Sequence, residues 1–131
     1  MRRGDWQSRL QAHILDWQDK PFRYGRFDCA LFAAGAVKAM TGFDPARGFR
    51  GYRSEAEGLR KVKAKGFADH VAVFEARFER ATRLCAGDIA VIETGEIRAL
   101  GVVQGRGIYV MHPERGLVLL PLSHAAWGMV I

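Results

Sequence analysis

Tyr24-Gly25-Arg26-Phe27-Asp28-Cys29-Ala30-Leu31-Phe32 is the stretch on which the fold turns. A glycine turn and an aspartate lead into an unbroken run of small and apolar helix formers, continuing through Ala33, Ala34, Val37 and Met40 to a stop at Gly42. The composition predicts a helix from about Asp28 that is buried on most sides. Cys29 then stands on its first turn, where unpaired N–H groups and the positive end of the helix dipole favour the thiolate, the nucleophilic form of cysteine. The same position suits a small residue that merely packs the helix against a sheet.

Upstream, Trp6, Leu10, Ile14 and Trp17 recur at helical spacing behind Asp5, a suitable N-cap, and the pattern ends before Pro21. Downstream, Ser54 with Glu57 three residues on reads as a capping box opening a basic helix that stops at Gly66. A shorter helical piece with Val71 and Phe74 follows Asp69. After Arg80 the texture changes to short β-rich runs at 89–92, 100–103, 108–111, 117–120 and 128–131, separated by turn residues. Gly95, Gly105 with Gly107, and Pro113 to Gly116 give connections short enough for hairpins, so neighbouring strands should run antiparallel. The expected class is therefore α+β, with N-terminal helices packed on a C-terminal antiparallel β-meander of about five strands.

The chain has 131 residues, 49% of them hydrophobic and 26% charged, which suits one domain over 1–131. Its core should span 21–131, with a helix at 5–19 as an N-terminal extension. The opening Met1-Arg2-Arg3-Gly4-Asp5 is charged and no long apolar run follows, so neither a signal peptide nor a membrane span is expected, and a soluble protein made in the cytoplasm is. Cys29 and Cys85 lie far apart without CxxC spacing; no disulfide framework, no metal site and no cofactor is expected. The net charge of +6 is concentrated between Arg47 and Lys65, where seven cations face only Glu55 and Glu57. Such a face can attract phosphate, an anionic wall polymer or an acidic protein, but a solvated helix face is the simpler reading, and nucleic acid is not an expected partner.

The order Pro21-Phe22-Arg23-Tyr24-Gly25, Asp28-Cys29 opening a helix, Gly87-Asp88-Ile89-Ala90-Val91, Leu100-Gly101-Val102-Val103-Gln104-Gly105 and Ile108-Tyr109-Val110-Met111-His112 resembles the NlpC-type papain-like cysteine peptidases. Asp28-Cys29-Ala30-Leu31-Phe32, Thr41-Gly42-Phe43-Asp44-Pro45, Arg50-Gly51-Tyr52 and Ala126-Trp127 look more closely like a small NlpC-like family of unknown function from phage and prophage tail-gene clusters. The resemblance implies a tail-associated hydrolase that cleaves wall stem peptides during DNA delivery, with peptidoglycan and other tail proteins as partners. It also implies Cys29 as the nucleophile. The superfamily's general-base His falls where this chain has Ala99 or Leu100, and its third catalytic residue falls within one position of His112. His112 is thus the expected substitute base. If it does not serve, the resemblance implies a structural tail or tail-tip component that has lost the chemistry. A third possibility is a nucleic-acid or anionic-polymer binding module using the Arg47 to Lys65 face.

The other candidates have plainer expected roles. Asp88 should order the turn into its strand, and Cys85 should be a small buried residue at the strand entrance. His13 is expected at the edge of the first helix, His70 exposed at a helix start and His124 on the surface. Trp6 and Trp17 belong to an apolar stripe, and Gly105-Arg106-Gly107 is a hairpin turn, too short for a phosphate loop.

Overall fold

In the computed structural model, which describes residues 1–95 and 97–131, four helices precede a six-stranded sheet. The central helix is α2, Cys29–Thr41, whose Ala33, Ala34, Ala36, Val37 and Met40 are fully buried. Small residues let it lie close to its neighbours on several sides. α1, Trp6–Trp17, packs along it through Leu10, Ile14 and Trp17, so this segment belongs to the main core and not to an appendage. Gly35 sits under the His13 ring, where an added Cβ would lie 2.4 Å from Cε1. That ring is held by Phe32 and Trp17, with centroids 5.1 and 5.5 Å away, and by Nε2–H donating to the Phe32 carbonyl at 2.9 Å.

Asp5 does not cap α1 with its side chain, because Arg9 one turn on draws its carboxylate into an ion pair at 2.8 Å. Ser54 does cap α3, Glu55–Ala64, by accepting the Glu57 N–H at 3.1 Å, and Asp69 caps α4, His70–Glu75, by accepting from Ala72 at 2.9 Å. Each such cap is worth about 1 kcal/mol.

The sheet contains β1 (Arg80–Ala81), β2 (Ile89–Thr94), β3 (Ile97–Gln104), β4 (Gly107–His112), β5 (Gly116–Pro121) and β6 (Trp127–Met129), in the order β1-β6-β2-β3-β4-β5, all antiparallel. The five expected strands are all present, and the α+β class holds. Two features differ from a simple meander. β6 returns past a short 3₁₀ turn at Leu122–His124 to pair with β2 on its far side, and the two-residue β1 adds a sixth strand beyond it. α2 lies against β3 and β4, which brings the start of the helix to the middle of the sheet. Cys29 consequently touches both apolar clusters, the helix-layer core and the smaller group around Ala90, Val103, Ile108 and Val110.

Among the described residues no helix is long and apolar enough to cross a membrane.

Candidate functional site

The site starts from a turn that can be built only around glycine. Gly25 has φ +76°, and a Cβ there would strike the Tyr52 backbone, coming 1.9 Å from its carbonyl oxygen. The bare backbone lets the 50–52 segment lie directly on the turn, with Gly51 N–H donating to the Gly25 carbonyl at 3.1 Å. That approach brings the Tyr52 hydroxyl to Asp28, to which it donates. Asp28 is 4% exposed, and its carboxylate is fully engaged: Oδ1 accepts from Leu31 N–H at 2.9 Å, capping α2, while Oδ2 accepts from Gly25 N–H at 2.9 Å and from Tyr52. Burial, reinforced by the Asp28 carboxylate, pushes the Tyr52 hydroxyl far up, so it stays a donor.

Cys29 is therefore the first residue of a well-capped helix, as its sequence position predicts. Its ionisation is the reverse of the expectation. Burial pushes the thiol up to about 11, and the adjacent Asp28 charge acts in the same direction. Backbone N–H groups of Leu100, Ala30 and Cys29 itself face the sulfur and favour the thiolate, but do not offset the loss of water. At neutral pH this cysteine is a thiol, and using it as a nucleophile requires a base.

A cavity of about 560 Å³ opens beside it. Its apolar wall includes Phe22, Phe49, Leu59, Val73 and Ile92, and its polar groups include Asp28, Cys29, Tyr52, His70, Arg98 and His112, with the carboxylates of Glu55 and Asp69 also on its lining. Few convergent polar groups on an apolar wall is the usual make-up of a small-ligand or peptide side-chain pocket. On β3, Leu100 is completely buried while Ala99 lines the cavity. Of the two residues at the expected base position, Ala99 is thus the one that faces the open space, with only a methyl group.

His112, the expected base, does line this cavity, at the end of β4. Its Nδ1 accepts the backbone N–H groups of Glu114 and Arg115, at 3.1 and 3.3 Å. The neutral ring then carries its proton on Nε2. Such a ring has no free lone pair with which to take a proton from sulfur, so His112 is built as a donor.

His70 lines the cavity too, and the expectation of an exposed surface residue fails. Its Nε2 is enclosed and has no hydrogen-bond partner among the described residues. Burial lowers the ring's pKa; the charges of Asp69 and Asp28 and a contact with the Arg98 backbone partly oppose this. The ring is thus neutral at physiological pH. Nothing local in the sequence marks this role, since it depends on α4 meeting β3 nearly thirty residues later.

The remaining candidates fall elsewhere. Asp88, 3% exposed, holds the turn before β2 by accepting from Cys85 N–H at 2.9 Å, and pairs with Arg2 at 2.9 Å. Cys85 is exposed and not buried as expected: only its backbone is used. His124 is exposed. Trp127 is pinned by donating Nε1–H to Glu93 at 2.7 Å beneath Arg80, and none of the three tryptophans lines the large cavity. Several cations of the basic segment are already occupied: Arg50 pairs with Asp44 at 2.7 Å, Lys61 donates to the Arg50 carbonyl at 2.8 Å, and Lys65 covers Phe49. No group of His, Cys, Asp and Glu among the described residues is arranged to hold a metal ion.

A family model described as a domain of unknown function, DUF6950, matches residues 1–129. No curated protein matches the chain.

Proposed function

We propose, from the premise that this chain belongs to the DUF6950 family, that it is an NlpC-like cysteine peptidase domain of a phage or prophage tail, hydrolysing amide bonds in peptidoglycan stem peptides. The observation that carries this reading is the placement of Cys29. It begins a buried helix, is held there by the Asp28 cap, and borders a cavity whose wall also carries imidazoles. In the reaction, Sγ attacks the amide carbonyl carbon as its proton passes to an imidazole of the wall. The tetrahedral adduct collapses as that proton moves to the leaving amine, giving a thioester and a free amine. Water then attacks the thioester, returning the proton to sulfur and releasing the acid.

The test is release of soluble peptides with new amino termini from purified bacterial walls. Wild type should release them and Cys29→Ala should not; equal release by both rejects the nucleophile. The alternative is a structural tail or tail-tip component that retains the fold without the chemistry. It is favoured by one observation, the methyl of Ala99 where the superfamily's base is expected, and it predicts both intact walls and no base-assisted alkylation of Cys29 in the wild-type protein.

A further inference from the structure

We propose, resting on the hydrolase reading above, that His70 is the catalytic base serving Cys29, reaching from α4 into the space that Ala99 leaves open on β3. Three observations converge on it. Ala99 faces the cavity, and its neighbour Arg98 presents the backbone against which the His70 ring lies. His70 and Ala99 thus line the same cavity, with the ring held beside the residue that precedes Ala99. The ring's Nε2 is enclosed and has no partner among the described residues, so no other group of the protein claims its lone pair. The other imidazole of the cavity, His112, has its acceptor nitrogen taken by two backbone N–H groups.

The surroundings hold the ring in the form a base needs. Arg98 clamps Asp69, the residue before His70, through Nε to Oδ2 at 2.9 Å and Nη2 to Oδ1 at 2.8 Å, fixing the start of α4 to β3. Burial keeps the imidazole neutral. As substrate fills the cavity the Sγ proton transfers to Nε2, the C–S bond forms and the carbonyl electron pair moves to oxygen. Nε2–H then protonates the departing nitrogen as the C–N bond breaks. A base that acts during attack suits a thiol pushed up to about 11, which no preformed ion pair has already ionised.

The test reads the pH dependence of Cys29 alkylation by iodoacetamide, on a Cys85→Ser background so that a single thiol reports. Base assistance gives the wild-type profile two limbs: one rising as the His70 ring becomes neutral, below the ordinary imidazole value, and one near the thiol's own titration. His70→Gln should lose the lower limb, slowing alkylation near neutral pH by about tenfold or more, whereas the exposed control His124→Ala should match wild type. A single limb in wild type, or a lower limb that survives in His70→Gln and disappears in His112→Ala, overturns the assignment. Should His70→Gln fail to fold, wild-type NMR decides. Carbamidomethylation of Cys29 should shift the titration midpoint of the His70 ring, and an unmoved midpoint overturns the proposal. An intact lower limb with no wall hydrolysis would refute the peptidoglycan substrate while leaving the base assignment standing.

Discussion

Arg98 holds Asp69 with two nitrogens, at 2.7 to 2.9 Å, and so fastens the strand that presents only the methyl of Ala99 to the cavity to the helix that carries His70. Burial alone would raise the Asp69 carboxyl, but the guanidinium and the Ala72 N–H hold it below the usual carboxylate range. Arg98→Gln should cost about 1 kcal/mol of stability and weaken the lower limb of Cys29 alkylation, through loss of position and not of chemistry. Arg98→Lys keeps the charge without the fork and should recover only part of both. An unchanged alkylation profile in Arg98→Gln would show that the clamp does not position the ring.

The charge of Asp28 opposes ionisation of its neighbour, second only to burial. Asp28→Asn can still cap α2, so it separates charge from structure. The upper limb of its Cys29 alkylation profile, the thiol's own titration, should move down from about 11 towards the ordinary thiol value. An equal or higher midpoint would mean that desolvation acts alone.

Cys29 titrates at about 11 when folded against 9.0 ordinarily, so the fold favours the neutral thiol. That contribution is complete below pH 9, declines as pH rises to 11, and is gone above it. It is on the order of 3 kcal/mol. Urea midpoints should therefore fall between pH 9 and 11 more steeply in wild type than in Cys29→Ala. Tyr52, also shifted upward, adds a common alkaline loss to both proteins, and the difference between them isolates the thiol. Parallel slopes would contradict the burial of the sulfur.

Gly35→Ala places a methyl 2.4 Å from the His13 ring, which is itself boxed in by Phe32 and Trp17. The usual gain from replacing a helix-interior glycine, up to about 1 kcal/mol, is then outweighed by overpacking of about 1–3 kcal/mol. Thermal unfolding should show a lowered midpoint; a raised one would mean that α1 moves away freely.

What could be read from sequence was what local chemistry determines. Asp28 and Gly42 bracket α2 because caps act within one turn, and the five longer strands show in their β-rich runs. β1 escaped notice because two residues carry no pattern and Arg80 and Ala81 are strand only through pairing with Met129 and Gly128. The two imidazoles of the cavity differ in this respect, since the contacts at His112 are local, to amides two and three residues on, while those at His70 come from a distant strand. His112 looked available until the amides of Glu114 and Arg115 took its lone pair, and His70 looked like surface until β3 came to lie beside it. The thiol's upward shift likewise arises from tertiary enclosure, which the dipole argument for a helix start does not contain.

The contact of Tyr52 with the bare α-carbon of Gly25 has an evolutionary consequence. Rim side chains such as Leu59 and Phe49 can drift in size and reshape what the pocket accepts by small degrees. Position 25 allows no such gradation: its first added carbon would wedge two backbones apart and take the tyrosine away from Asp28. Descendants of this sequence can thus retune the mouth of the pocket freely, while its hinge point must stay as it is or be lost in one step.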